Sequence, residues 1–334
     1  MKIDGRISVP LADVPDAARR LERSGCAGAW TAETAHDPFL PLLLAAEHTA
    51  RMQVGTSIAV AFARNPMTVA NVGWDLQTYS QGRFLLGLGT QIKPHIEKRF
   101  SMPWSQPVER MREFVLALRA IWSAWQDGTP LRFEGTYYTH KLMTPAFAPQ
   151  PQPHGFPSIL LAAVGTAMTR MCAEVADGMH AHVFTTARYL REVTEATLRD
   201  GLAAAGRSRA DFQLSCPVWI ITGSGEQDTA AAAAAVRRQL AFYASTPAYR
   251  PVLEVHGWGD LQPDLHALSL RGRWETMGDL IDDEILSTFA VVAEPDDVAE
   301  ILRRRYDGVA DRIVLSLPDR AGPDVTRAVI EKFA

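Results

Sequence analysis

Residues 52–90, MQVGTSIAVAFARNPMTVANVGWDLQTYSQGRFLLGLGT, carry the pattern from which the rest of the chain can be read. Two short apolar runs, Met52–Val60 and Arg83–Gly89, bracket a segment that opens on Asn65-Pro66 and runs to Tyr79. An asparagine at the cap and a proline in the first turn are the residues a helix start favours. The runs are too short for helices and apolar on both faces, as strands are when a parallel sheet lies under helices. The segment therefore reads as strand, helix, strand.

The same rhythm extends in both directions. Upstream stand KIDGRIS, a helix from Leu11 to Arg23, AGAWTAE, and a helix from Pro38 to about Ala50 behind the potential cap Asp37. Downstream, a long helix covers about Pro107 to Trp125, and LRFEGTYYTH at 131–140 reads as a short hairpin before a proline-rich stretch that no helix tolerates. SILLAAVG, DGMHAHVF, FQLSCPVWIITG and DRIVLSLP supply four more strands. Helices follow Thr166, span about Arg188–Ala205, about Thr229–Ser245 and Pro295–Tyr306, and close the chain at Pro323–Phe333. Eight strand–helix pairs predict a (β/α)8 TIM barrel, a single domain over 1–334 with excursions near 131–157 and 249–285. A Rossmann sheet would carry GxGxxG in its first strand–helix turn, and SVPLADVPD has no glycine.

Composition narrows the function classes. Of 334 residues 47% are apolar and 22% charged, which suits a globular enzyme, and a net charge of −4 without a basic run argues against nucleic-acid and anionic-membrane partners. Cys26, Cys172 and Cys216 are too few and too scattered for a disulfide framework or a thiolate zinc site. The opening residues lack the basic and apolar regions of a secretory signal, so a cytoplasmic location is expected. Cyclic dimers being the commonest soluble assembly, a homodimer is the prior.

In a barrel of this kind the active site lies where the strands end. The motifs VGTSIAVAFARNP, QGRFLLGLGT, PVERMREF and ILLAAVGT with VADG, in this order and spacing, resemble the luciferase-like superfamily of flavin and deazaflavin oxidoreductases. The resemblance covers the chain nearly from end to end. RNP after the third strand and GxGT after the fourth most resemble the branch that uses coenzyme F-420 (F420), an 8-hydroxy-5-deazaflavin. It implies a non-prolyl cis peptide between Ser57 and Ile58 behind the cofactor's central ring. It also implies a cofactor phosphate at Ala163, Val164, Gly165 and Thr166, where a strand opens a helix and offers free N–H groups. Glu109, in the first turn of its helix, matches an acid near the reacting carbon. Glu33 stands where the branch usually has aspartate, as a hydrogen-bonding partner of the cofactor, and Thr34 stands where its sugar-phosphate dehydrogenases have histidine. Threonine cannot perform the acid–base work of an imidazole, which argues against sugar-phosphate activity.

Other candidates come from the residues themselves. His36 is within reach of the same loop as a second proton donor. Gly87, Gly89 and Thr90 follow the fourth strand, the glycines serving either tight packing or close approach of the cofactor. His180 and His182 alternate on one strand and so share a face. With no carboxylate at ligand spacing they read as substrate-pocket lining rather than a metal site. Trp104 and Trp219, with Thr34, complete an expected, mostly apolar substrate pocket. The leading function is hydride transfer between the F420 carbon C5 and a small organic substrate: an alcohol, a carbonyl or an activated C=C bond. An FMN-dependent monooxygenase of the same superfamily is the alternative, and a cofactor-binding barrel without catalysis a third reading.

Overall fold

The computed structural model describes residues 1–223, 225–317 and 323–333. Its strands are β1 (Lys2–Arg6), β2 (Gly28–Thr31), β3 (Gln53–Thr56), β4 (Ala59–Val60), β5 (Phe84–Gly89), β6 (Phe133–Glu134), β7 (Thr139–His140), β8 (Ser158–Ala163), β9 (Gly178–Ala181), β10 (Gln213–Ile221), β11 (Ala290–Val292) and β12 (Arg312–Ser316). Parallel pairing runs β1-β2-β3-β5-β8-β9-β10-β12 and returns to β1, so eight strands close a barrel with helices between them. This is the (β/α)8 architecture expected from the sequence. β4 continues β3 past a break and pairs β5, and β6 with β7 forms the expected hairpin outside the barrel.

Alternation along each strand sets what fills the barrel. Trp30, Leu85, Leu160 and Val314 point inward from β2, β5, β8 and β12 and form a buried cluster. Beneath them the Arg312 guanidinium grips Asp4 through two hydrogen bonds of 2.7 and 2.8 Å, and both side chains are 0% exposed. Arg312 Nη1 also donates to Gln53 Oε1, and Trp30 Nε1 donates to the same Asp4 carboxylate. The first and last barrel strands are thus joined by a satisfied, buried ion pair, the condition under which such a pair is tolerated.

Three details depart from the sequence reading. The second barrel helix begins at Leu40 rather than Pro38, because Asp37 Oδ1 accepts the N–H groups of Phe39 and Leu40. The alanine-rich helix starts earlier, at Glu226. β11 was not expected at all: β10 is nine residues long and outruns β9, and β11 pairs with its last three residues. Asn65 caps the helix Pro66–Tyr79 by accepting from Met67 N–H, as the sequence predicts.

The first excursion is fastened from inside. Glu113, on the helix Pro107–Asp127, accepts the N–H groups of Thr136, Tyr137 and Tyr138, while Arg110 donates to the Tyr138 hydroxyl. The second excursion contributes short helices at Arg250–Glu254, Leu261–Leu270 and Trp274–Met277. With Phe184, Trp219 and the helix Glu226–Ala244 they build a separate apolar cluster beside the C-terminal ends of β9 and β10. No helix among the described residues is long and apolar enough to cross a membrane.

Candidate functional site

Strand β8 ends at Ala163, and the chain turns through Val164 and Gly165 into the helix Thr166–Val175. Gly165 has φ +77°, a conformation that glycine adopts without penalty, and the space where a Cβ would stand is open. No side chain caps this helix, so the N–H groups of its first turn lack the partners a capping residue would give them. A cleft open to solvent begins at these residues and is lined also by Tyr189, Leu190 and Tyr249. In its wall the buried Thr185 hydroxyl has no hydrogen-bond partner.

His182 lies in the same wall. Its ring stacks on Tyr249 at 4.6 Å and meets Tyr243 edge-on at 4.8 Å. Nδ1 accepts from the Phe184 N–H, so the neutral ring carries its proton on Nε2. Burial lowers its pKa to about 4. Burial likewise raises the Tyr249 phenol to about 12. The wall is thus neutral and aromatic, with one imidazole N–H and several threonine hydroxyls.

His180 shares the strand face but not the cavity. It sits deeper, 3% exposed and edge-on to Trp30 at 4.7 Å. Neither ring nitrogen has a hydrogen-bond partner, and burial, aided by the Arg312 charge, lowers its pKa to about 3. Trp219 is also buried, donating to Gln239 Oε1 within the second apolar cluster. Read from sequence as pocket lining, His180 is instead packed beneath the cavity, because its strand continues inward one layer below His182, and Trp219 beside it, because its indole joins the second apolar cluster.

The third strand breaks where the sequence places it. The Ser57–Ile58 peptide is cis, with Ser57 N–H donating to Thr31 O and Ile58 O accepting from Glu33 N–H. Glu33 Oε2 accepts from Val60 N–H at 2.7 Å and from Arg64, which also reaches Asp37. The loop after β2 is thereby braced against the segment after the cis bond. Thr34 is exposed, and its carbonyl accepts from Arg99, tying this loop to the one after β5.

For the glycines of β5 the structure favours packing. A Cβ on Gly87 would lie 1.7 Å from Thr56 O, and one on Gly89 2.9 Å from the Ile58 side chain. Thr90 turns its hydroxyl to Gln91 O. Trp104 is half-buried against Phe62, whose other side carries the Arg110 guanidinium at 4.3 Å. Glu109 and His36 are both exposed, on the loops and helix start that follow β5 and β2, and neither carboxylate nor imidazole has a partner among the described residues. They are not in the wall of the cavity.

Sequence reasoning passed over Thr185, Tyr249 and Arg64. Arg64 stood inside the quoted RNP motif, whereas nothing local marks Tyr249, which reaches the site from the second excursion. Among the described residues no group of three or more His, Cys, Asp or Glu side chains is placed to hold a metal ion, and all three cysteines are buried.

A family model described as luciferase-like monooxygenase matches residues 3–312. An uncharacterized protein of Mycobacterium tuberculosis is 61% identical over 333 residues, covering 100% of this chain and 98% of its own length. A putative coenzyme F420-dependent oxidoreductase of the same organism is 28% identical, over 83% of this chain and 82% of that one. Among solved structures, the coenzyme F420-dependent tetrahydromethanopterin reductase from Methanopyrus kandleri superimposes with a TM-score of 0.80 at 19% identity, over 99% of this chain and 97% of the other.

Proposed function

Because the chain belongs to the luciferase-like monooxygenase family, we propose that it is an F420-dependent oxidoreductase acting on a small organic substrate. The observation that carries this reading is the strand–helix junction at Gly165, an uncapped helix start that faces a solvent-open cleft. Backbone N–H groups and the positive end of a helix dipole are suited to a phosphate, and the open position at Gly165 leaves room for one. The unpartnered Thr185 hydroxyl gives the same cavity a polar contact still to be made. Relatives named for F420 support the deazaflavin over FMN.

With its phosphate held at this helix start, the deazaflavin would supply a hydride donor or acceptor at its carbon C5. In this reading the chain's own residues orient and shield. Val164, Gly165 and Thr166 hold the phosphate, and Ser57 and Ile58 back the ring. Glu33 steadies the loop beside it through Arg64. Glu109 and His36, both unengaged, are the proton donors for the substrate atom opposite the hydride. The neutral wall of His182, Tyr189 and Tyr249 excludes water without adding charge.

Turnover tests the proposal. Reduced F420 should be reoxidised by aldehydes, ketones or activated alkenes without oxygen, or oxidised F420 reduced by alcohols. Glu109→Gln should lower kcat at least tenfold while leaving F420 affinity within about twofold. Oxygen-dependent turnover with reduced FMN alone would replace the proposal with a monooxygenase, and cofactor binding without turnover on any such substrate would leave a binding barrel.

A further inference from the structure

Asp4 and Arg6 stand two residues apart on β1 and so share its inward face. Asp4 is neutralised by Arg312 at the bottom of the barrel. Arg6, one layer up, pairs in register with Trp30, which also faces inward, and reaches the end of the strand at the barrel mouth. Its surroundings differ from those of the other inward guanidinium. Arg6 makes one long contact, 3.5 Å from Nη1 to Ser316 Oγ at the end of β12, and has no carboxylate partner among the described residues. Tyr243, which flanks His182, is the ionisable neighbour it senses.

A cation without a carboxylate among the described residues is informative here. The chain has 38 acidic residues against 34 basic ones, and buried or partly buried arginines elsewhere are satisfied either by carboxylates, as at Arg64, Arg119 and Arg209, or by several carbonyls and hydroxyls, as at Arg83 and Arg110. Arg6 remains exposed to solvent at the mouth while its guanidinium is partly desolvated, which lowers its pKa without discharging it. A guanidinium held this way offers a planar, two-pronged donor to a carboxylate, and Ser316 adds a hydroxyl beside it.

We propose that Arg6 and Ser316 form an anion subsite at the barrel mouth that takes the carboxylate of a small organic substrate. The proposal deepens the oxidoreductase reading and rests on it for the word substrate, but anion binding itself requires no cofactor. It places the substrate's charged end over β1 and β12, and turns its other end toward the aromatic wall of Tyr243 and His182.

The test uses the cofactor-free protein with benzoate and its neutral isostere benzamide, followed by ligand-observed NMR and tryptophan fluorescence. Benzoate should bind at least tenfold more tightly than benzamide to the wild type, a comparison that needs no variant. Arg6→Met should abolish the difference, Arg6→Lys should keep part of it, and Ser316→Ala should weaken benzoate two- to fivefold, with F420 affinity within twofold of wild type throughout. Equal binding of benzoate and benzamide to the wild type would overturn the proposal, as would an Arg6→Met protein that folds and keeps the preference. A loss of F420 affinity without any benzoate preference would also overturn it, assigning Arg6 to the cofactor. Failure of F420 to bind at all, with the benzoate preference intact, would count against the proposed cofactor and not against the subsite.

Discussion

Replacing Thr166 by aspartate separates the two roles that the start of the helix Thr166–Val175 has in this account. Thr166 is exposed and its side chain makes no hydrogen bond, so the exchange removes no contact within the protein itself. A carboxylate at the first helical position complements the dipole and stabilises the protein by about 0.3–1 kcal/mol. The same carboxylate would stand roughly 5 Å from a phosphate bound to the first-turn N–H groups. Between unit charges at that distance the repulsion is about 0.8 kcal/mol in water and about 3 kcal/mol at an effective dielectric of 20. For a half-open cavity the expectation lies between, a roughly 4- to 150-fold loss of F420 affinity, shrinking as salt is raised. Thermal denaturation and fluorescence titration on one preparation give both signs. Thr166→Asp should be as stable as the wild type or slightly more so, and should bind F420 more weakly. A protein equally stable with unchanged affinity would remove the phosphate from this helix end, and parallel loss of stability and affinity would refute the electrostatic reasoning.

Other parts of the structure make their own predictions. Arg312→Met strands the 0% exposed Asp4 carboxylate and should cost about 3–5 kcal/mol in urea denaturation, whereas pairing it with Asp4→Leu should recover much of the loss. Gly87→Ala forces a methyl to within 1.7 Å of Thr56 O, and should destabilise by at least about 1–3 kcal/mol, read as a lower denaturation midpoint with an unchanged slope. His180 and His182 are held neutral, with pKa values lowered to about 3 and about 4. Between pH 4 and 6.5 the unfolded chain takes up protons that the folded one refuses, so stability falls on acidification. From pH 6.5 to 5 the expected loss is about 1–2 kcal/mol per histidine, and His182→Gln should flatten that dependence measurably.

How much of this was legible in the sequence depends on the range of the interactions. The barrel was readable because its strands are apolar runs closed by Gly, Pro or Asn, and each helix starts with a local signal such as Asn65-Pro66. β11 escaped because AVV is three residues long and becomes a strand only by completing the exposed edge of β10. The cis bond at Ser57–Ile58 was placed through the family motif, not through propensity. His180 and His182 look equivalent along the strand, and only depth in the barrel separates a packed ring from one in the cavity wall. Arg6 was not singled out in the sequence, because its lack of a carboxylate among the described residues is a three-dimensional fact. Tyr249 reaches the site from an excursion whose path no local pattern fixes.

The most direct test of the central claim is equilibrium titration of the purified protein with oxidised F420 and, in parallel, with FMN, each followed by its own fluorescence. Saturable binding of F420 is expected, at least tenfold tighter than FMN and weakened by a bulky side chain in Gly165→Trp. Preference for FMN, or binding of neither, would contradict it.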